Sequence, residues 1–235
     1  MIPIALAELR MLVRNRLVLF CAVLIPLAFG AFLILNDTGT GGAGAIATLQ
    51  ITIMIAMGVY VSGTTTLAAR RQTLMLKRMR SGAISDGAIL TGLVVPLVVV
   101  SVIQIALVLS ILSFTAGAPA NAVLLIIAVL LTEVMFVGFA LATAGVTNSP
   151  EHAQVTTLPL FFATIAIAFW VMTTGTAELT WVKRLLPGGG IAELIGAAWN
   201  GGASVDLLAL LLPSVVWVIA AMYFARTMFK WEPRA

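Results

Sequence analysis

The stretch GAILTGLVVPLVVVSVIQIALVLSILSF, Gly87–Phe114, runs from end to end without an Asp, Glu, Lys or Arg. A helix rises about 1.5 Å per residue, so roughly 20 apolar residues cross a bilayer core of about 30 Å. This stretch is long enough and apolar enough to do so. Five more stretches qualify on either side of it: Leu17–Leu35, Ala45–Ala69, Asn121–Gly145, Gln154–Thr174 and Val205–Phe229. Between them stand loop signals such as Gly39-Thr40-Gly41-Gly42, Ala116-Gly117-Ala118-Pro119, Asn148-Ser149-Pro150 and Gly188-Gly189-Gly190. The reading is an all-α polytopic membrane protein with six transmembrane helices, a single transmembrane domain over residues 1–235.

Composition agrees. The chain of 235 residues is 61% hydrophobic and 9% charged, with a mean hydropathy of +1.13. Soluble domains carry about 25% charged residues. There is too little polar surface for a cytosolic enzyme, and one cysteine, Cys21, for no disulfide scaffold. The net charge of +4 reads as topology rather than nucleic-acid binding. Of 13 Lys and Arg residues, Arg10, Arg14 and Arg16 precede the first span. Arg70, Arg71, Lys77, Arg78 and Arg80 lie between the second and third, and Arg226, Lys230 and Arg234 close the chain. Only Lys183 and Arg184 fall elsewhere. Positive residues favour the cytoplasmic face, so both termini are expected inside. The first apolar run is longer than the 7–15 residues or so of a signal-peptide core, so it reads as a span, not a cleaved leader. No internal repeat is visible, which weighs against inverted-repeat transporters.

Three segments are not spans. Residues 2–15 carry Ile2, Ala5, Leu6, Leu9, Leu12 and Val13 on one helical face and Glu8, Arg10, Arg14 and Asn15 on the other, an interfacial helix with its basic face toward headgroups. In the loop Arg70–Asp86, the spacing of Gln72, Met75, Leu76 and Met79 predicts one face of a short helix. Arg70, Arg71, Lys77, Arg78 and Arg80 take the rest of its surface, toward headgroups. Such a loop is either a topology signal or a protruding helix whose Met-rich face fits a cytosolic partner. Between Gly175 and Ser204, Trp181 and Trp199 flank an apolar stretch broken at Pro187–Gly190, which reads as two short re-entrant or interfacial helices.

Chemistry-bearing motifs are few. No G-x-x-x-x-G-K-[ST] loop for ATP occurs, and one histidine, His152, with one cysteine builds no zinc site. Glu133 is the acidic residue nearest mid-span, either a functional group or a glutamate tied to a neighbour such as Gln104. Gly58, Ser62 and Thr65 form a small, polar stripe on the second span, and Thr156 and Thr164 give the fifth a similar character. Either set is a helix interface or a pathway wall.

The order of parts resembles the type-2 exporter permeases of the ATP-binding-cassette (ABC) transporters. Thr73-Leu74-Met75-Leu76-Lys77-Arg78-Met79-Arg80 is similar to that family's cytosolic stretch, Leu186-Pro187 with Glu193 to its outer segment, and Phe229-Lys230-Trp231-Glu232 to an ending of its drug- and lipid-exporter branch. Arg70, Arg71 and Gln72 stand where the family often has an acidic residue. The resemblance implies a multi-pass permease of the bacterial inner membrane. It would work as a homodimer or with a similar permease, and with two copies of an ABC ATPase that bind ATP and Mg. Thr73–Arg80 would be the ATPase-coupling helix, and the pathway would carry a hydrophobic drug, lipid or peptide outward. This chain itself would be no enzyme and bind no cofactor. Two rivals stay open: a secondary transporter coupled to protons through Glu133, and a membrane scaffold without transport.

Overall fold

Loop chemistry sets where the helices begin. Ser85 accepts from the Ala88 amide at 3.4 Å, Asn121 from Leu124 at 3.0 Å, and Ser149 from His152 at 3.2 Å with Pro150 in the first turn. Side-chain oxygens thus take up amides that have no partner inside the helix. The computed structural model describes residues 2–14, 24, 27–33, 35, 42–82, 84–201 and 207–231, with no side-chain detail at 11–14.

The elements are α1 (Ile2–Arg14), α2 (Gly42–Gln72), α3 (Met75–Arg80), α4 (Asp86–Ala116), α5 (Ala122–Val146), α6 (Pro150–Thr174), α7 (Thr180–Leu185), α8 (Gly189–Asn200) and α9 (Leu207–Met228). Among the described residues, α2, α4, α5, α6 and α9 are long and apolar enough to cross a membrane. They match the second to sixth expected spans within a few residues. Most of the first expected span, Leu17–Leu35, lies outside the described residues, as do Arg16, Glu232, Arg234 and the loops at 36–41 and 202–206. Residues 27–33 are helical, with Leu27 and Leu33 packed on the core.

The bundle is built around α2. Of its apolar window 78% is buried, against 22% for α9 at the periphery. Ile51, Met54, Ile55 and Tyr60 of α2 meet Phe136 of α5 and Ile195 of α8 in the main core. The Tyr60 and Phe136 rings lie 5.9 Å apart. Gly138 and Gly145 let α9 run close along α5. A Cβ at Gly138 would stand 2.8 Å from the Ala221 carbonyl carbon, and one at Gly145 would be 2.9 Å from the Phe229 Cα. The spans satisfy their own hydroxyls: Thr52, Thr64, Thr132 and Ser214 each donate to the carbonyl four residues earlier, at 2.7–2.8 Å. In hydrocarbon such back-bonding is the available partner. Residues Ala56–Val61 of α2 form a π-helical turn, and Ser62 Oγ donates to the Met57 carbonyl across it at 2.9 Å.

One residue of the interfacial helix departs from the expected setting. Ile2 and Leu6 are exposed, whereas Glu8 is buried and pairs with Arg70 at 2.7 Å. Glu8 therefore ties α1 to the end of α2 instead of facing headgroups.

Candidate functional site

One end of the bundle gathers the basic residues. Here α2 ends, α3 follows a tight turn, α4 begins, and α5 and α9 both end. The turn places Leu74 in the left-handed region, φ 57°, which reverses the chain and lays α3 across the bundle. Leu76 then points inward. It is fully buried among Leu67, Ile89, Leu93, Leu141 and Ala225, with Met79 half-buried at the edge. The expectation that Leu76 and Met79 offer an apolar face to a partner is corrected: that face plugs the chain's own core, because burying Leu76 against four helices removes more apolar surface than leaving it in water.

Arg71 is corrected too. Its side chain is 1% exposed and not directed at headgroups. Nη1 donates to the Gly145 carbonyl at 3.2 Å and to that of Lys230 at 3.5 Å, and Nη2 donates to the Thr147 carbonyl. One guanidinium thus holds together the ends of α2, α5 and α9. Helix C-termini leave carbonyls without internal partners and carry partial negative charge, which a fork of N–H donors satisfies. Thr147 is held in turn by Thr156 of α6, hydroxyl to hydroxyl at 2.9 Å. Thr156 is thus an exposed residue near the basic end whose hydroxyl links α6 to the end of α5.

What remains outward on this end is polar. Gln72, Thr73, Lys77, Arg78 and Arg80 are exposed, and Leu74 projects at 42% exposure; Met75 is half-buried, and its sulfur accepts from Arg70. Arg80 pairs with Asp86 at 3.1 Å and lies 5.2 Å over the Trp231 ring.

The opposite end is closed by α7 and α8, broken at Pro187 and at Gly188 with φ 90°, as the sequence predicts. Glu193 accepts two bonds from Arg184, both at 2.7 Å, and a third from Thr176 at 2.7 Å. Lys183, also buried, donates to Thr174 Oγ1 at 2.8 Å and the Gly175 carbonyl at 2.6 Å, and its ammonium lies 5.0 Å from the Trp170 ring centroid. The α8 helix enters the bundle, and its last carbonyls accept from the Ala120 and Asn121 amides at 3.1 and 2.9 Å. Trp181 is exposed as an interfacial aromatic should be, but Trp199 is a core residue, which corrects its expected place at the interface. A cleft of about 310 Å³ opens beside α8, lined in part by Thr48, Thr176, Glu193 and Asn200.

The mid-span candidates separate into two groups. Gly58, Ser62 and Thr65 lie half-exposed along α2, so the stripe is not consumed by packing within the chain. Gln104 and Glu133 are buried inside the bundle, and Thr164 is spent on its own helix. Among the described residues neither carboxylate oxygen of Glu133 makes a well-formed hydrogen bond, and the polar group beside it is the Ser101 hydroxyl. Ser101 is also the residue nearest Gly58, 3.9 Å from a Cβ built there.

Sequence reasoning missed Arg71, Lys183 and the π-turn. An arginine that staples helices and one that snorkels look alike in a basic loop. The one available signal for Arg184 and Glu193 was opposite charge across a helix break. No curated protein sequence matches the chain. A family model described as ABC-2 type transporter matches residues 7–187, which takes in the second half of α1, the basic turn with α3, and α7 up to Pro187. With that match over most of its length, this apolar helical bundle belongs to the ABC-2 type transporter family, as a membrane-embedded permease.

Proposed function

We propose that the chain is the permease subunit of an ATP-driven exporter, with its basic end in the bacterial cytoplasm. Two permeases, identical or similar, pair around a pathway to which the half-exposed stripe Gly58, Ser62 and Thr65 contributes. Two copies of a separate ABC ATPase, holding ATP and Mg, dock on the basic end. Hydrophobic or amphipathic molecules, such as drugs, lipids or peptides, are the cargo this apolar bundle suits. The observation that carries the reading is the two-sidedness of α3: Leu76 plugs the core while Thr73, Leu74, Lys77 and Arg78 face outward. A push on the outer side of such a helix reaches four spans through Leu76 and Arg71.

The test is charge reversal on the outer side alone. Lys77→Glu with Arg78→Glu should leave melting temperature and membrane insertion unchanged. It should cut co-purification with the ATPase, and transport, at least tenfold. Unchanged association and transport would defeat the coupling role.

The proton-coupled alternative has one observation in its favour, the buried Glu133 carboxylate, which among the described residues has only the Ser101 hydroxyl beside it. Glu133→Gln should retain most ATP-driven transport if the ABC reading is right. Full loss, with dependence on the proton gradient, would favour the alternative.

A further inference from the structure

At the basic end, α4 and α9 stand on either side of α5 and leave a groove of about 560 Å³. Leu90 and Val94 form one wall, Met222 and Phe229 the other, and Val137 and Leu141 the floor. That volume falls in the range of sites for small organic ligands. The groove opens onto an apolar surface, since Val95 and Val99 of α4 and Val216 and Ile219 of α9 are exposed.

Its mouth is different in character. Asp86, Thr91, Arg226 and Trp231 line it. Asp86 is already paired with Arg80, whose guanidinium lies over Trp231. Arg226 is exposed in the last turn of α9 and has no carboxylate partner among the described residues. One cation is therefore left over at the rim of an apolar trough, at the level where an aromatic ring marks the membrane boundary. An amphiphile with an anionic head and a hydrocarbon tail complements this arrangement. A cationic head would be repelled, and a neutral one would leave Arg226 without a role.

We propose that this groove binds an anionic phospholipid of the surrounding leaflet, with an acyl chain along α5 and the phosphate at Arg226. The bound lipid fills the gap between α4 and α9 beside the Leu76 plug. The inference needs only that the bundle sits in a bilayer, and so stands or falls separately from the cargo and the ATPase.

The experiment is native mass spectrometry of the purified, detergent-solubilised chain, titrated in parallel with phosphatidylglycerol and phosphatidylcholine. Wild type should retain phosphatidylglycerol in preference. Arg226→Gln should lower its retention about fivefold, the equivalent of about 1 kcal/mol for one cation near the membrane surface, and leave phosphatidylcholine unchanged. Thr91→Trp, an exposed position at the groove mouth, should lower both lipids by blocking entry. Arg226→Lys should restore the preference, which separates lost charge from lost fold. Equal retention of the two lipids by wild type, or an unmoved phosphatidylglycerol value in Arg226→Gln, overturns the proposal.

Discussion

The two ends of the molecule solve the same problem with opposite materials. Each carries a six-residue helix, α3 at the basic end and α7 at the other, and each follows a leucine in the left-handed region, Leu74 at φ 57° and Leu179 at φ 54°. Neither helix is long enough to be stable alone. The α3 helix is pinned by a buried apolar side chain, Leu76, and by a guanidinium on backbone carbonyls just upstream. Its free surface is cationic. The α7 helix is pinned by charges: Arg184 on Glu193 and Lys183 on Thr174 and Gly175. Its free surface is apolar, with Trp181, Val182 and Leu185 at 50–62% exposure. A helix that offers charge to water must be held from inside by apolar burial. One that offers apolar surface to the membrane boundary is held by polar bonds on its inner side.

The largest expected effect breaks the basic end. Leu76→Asp both empties a fully packed site and buries an unpaired charge. It should cost at least about 4 kcal/mol and lose the folded peak in fluorescence-detected size exclusion. A variant that stays folded would show that α3 can lift off the bundle.

At the other end, Arg184→Ala takes away two of the three bonds that hold the half-buried Glu193 carboxylate. A loss of about 3 kcal/mol in thermal unfolding is expected, with much of it recovered in the double variant Arg184→Ala with Glu193→Ala. No recovery would mean that Arg184 acts by packing alone, and the contrast between the ends would weaken.

Arg71→Met sharpens the comparison on the basic side. It leaves buried carbonyls at Gly145 and Thr147 short of a donor, a loss of about 2 kcal/mol. Arg71→Lys should recover only part, because an ammonium lacks the planar fork. Hydrogen exchange should then rise at the ends of α5 and α9 together. A rise in α2 alone would argue against a shared staple.

Much of the fold could be read from the chain. Runs such as Gly87–Phe114 leave no other physical option than a helix in lipid, since hydrocarbon offers backbone amides no partner. Pro187-Gly188 marked the break between α7 and α8, since proline lacks an amide donor and Gly188 adopts φ 90°. The candidate site was legible only in outline. The spacing of Gln72, Met75, Leu76 and Met79 found the helix α3, yet the sense of its apolar face came out inverted. Amphipathicity states that one face avoids water, and a partner's groove and the chain's own core avoid it equally well. Leu76 was resolved by the left-handed turn at Leu74, whose direction no periodicity encodes.

The sequence by itself determined that this is a membrane bundle, where the described spans lie, which end is basic, and that the segment between the last two spans is broken. Each of these follows from composition summed over a window, a local property. Only the tertiary structure decided that Arg71 is a buried staple and not a headgroup contact, that Glu8 answers Arg70, and that Glu193 answers Arg184. These depend on which helix ends meet: Arg71 reaches carbonyls more than seventy residues away along the chain. A charge in a basic loop acquires its role from the electrostatics of whatever packs against it, and that is a property of the assembled bundle alone.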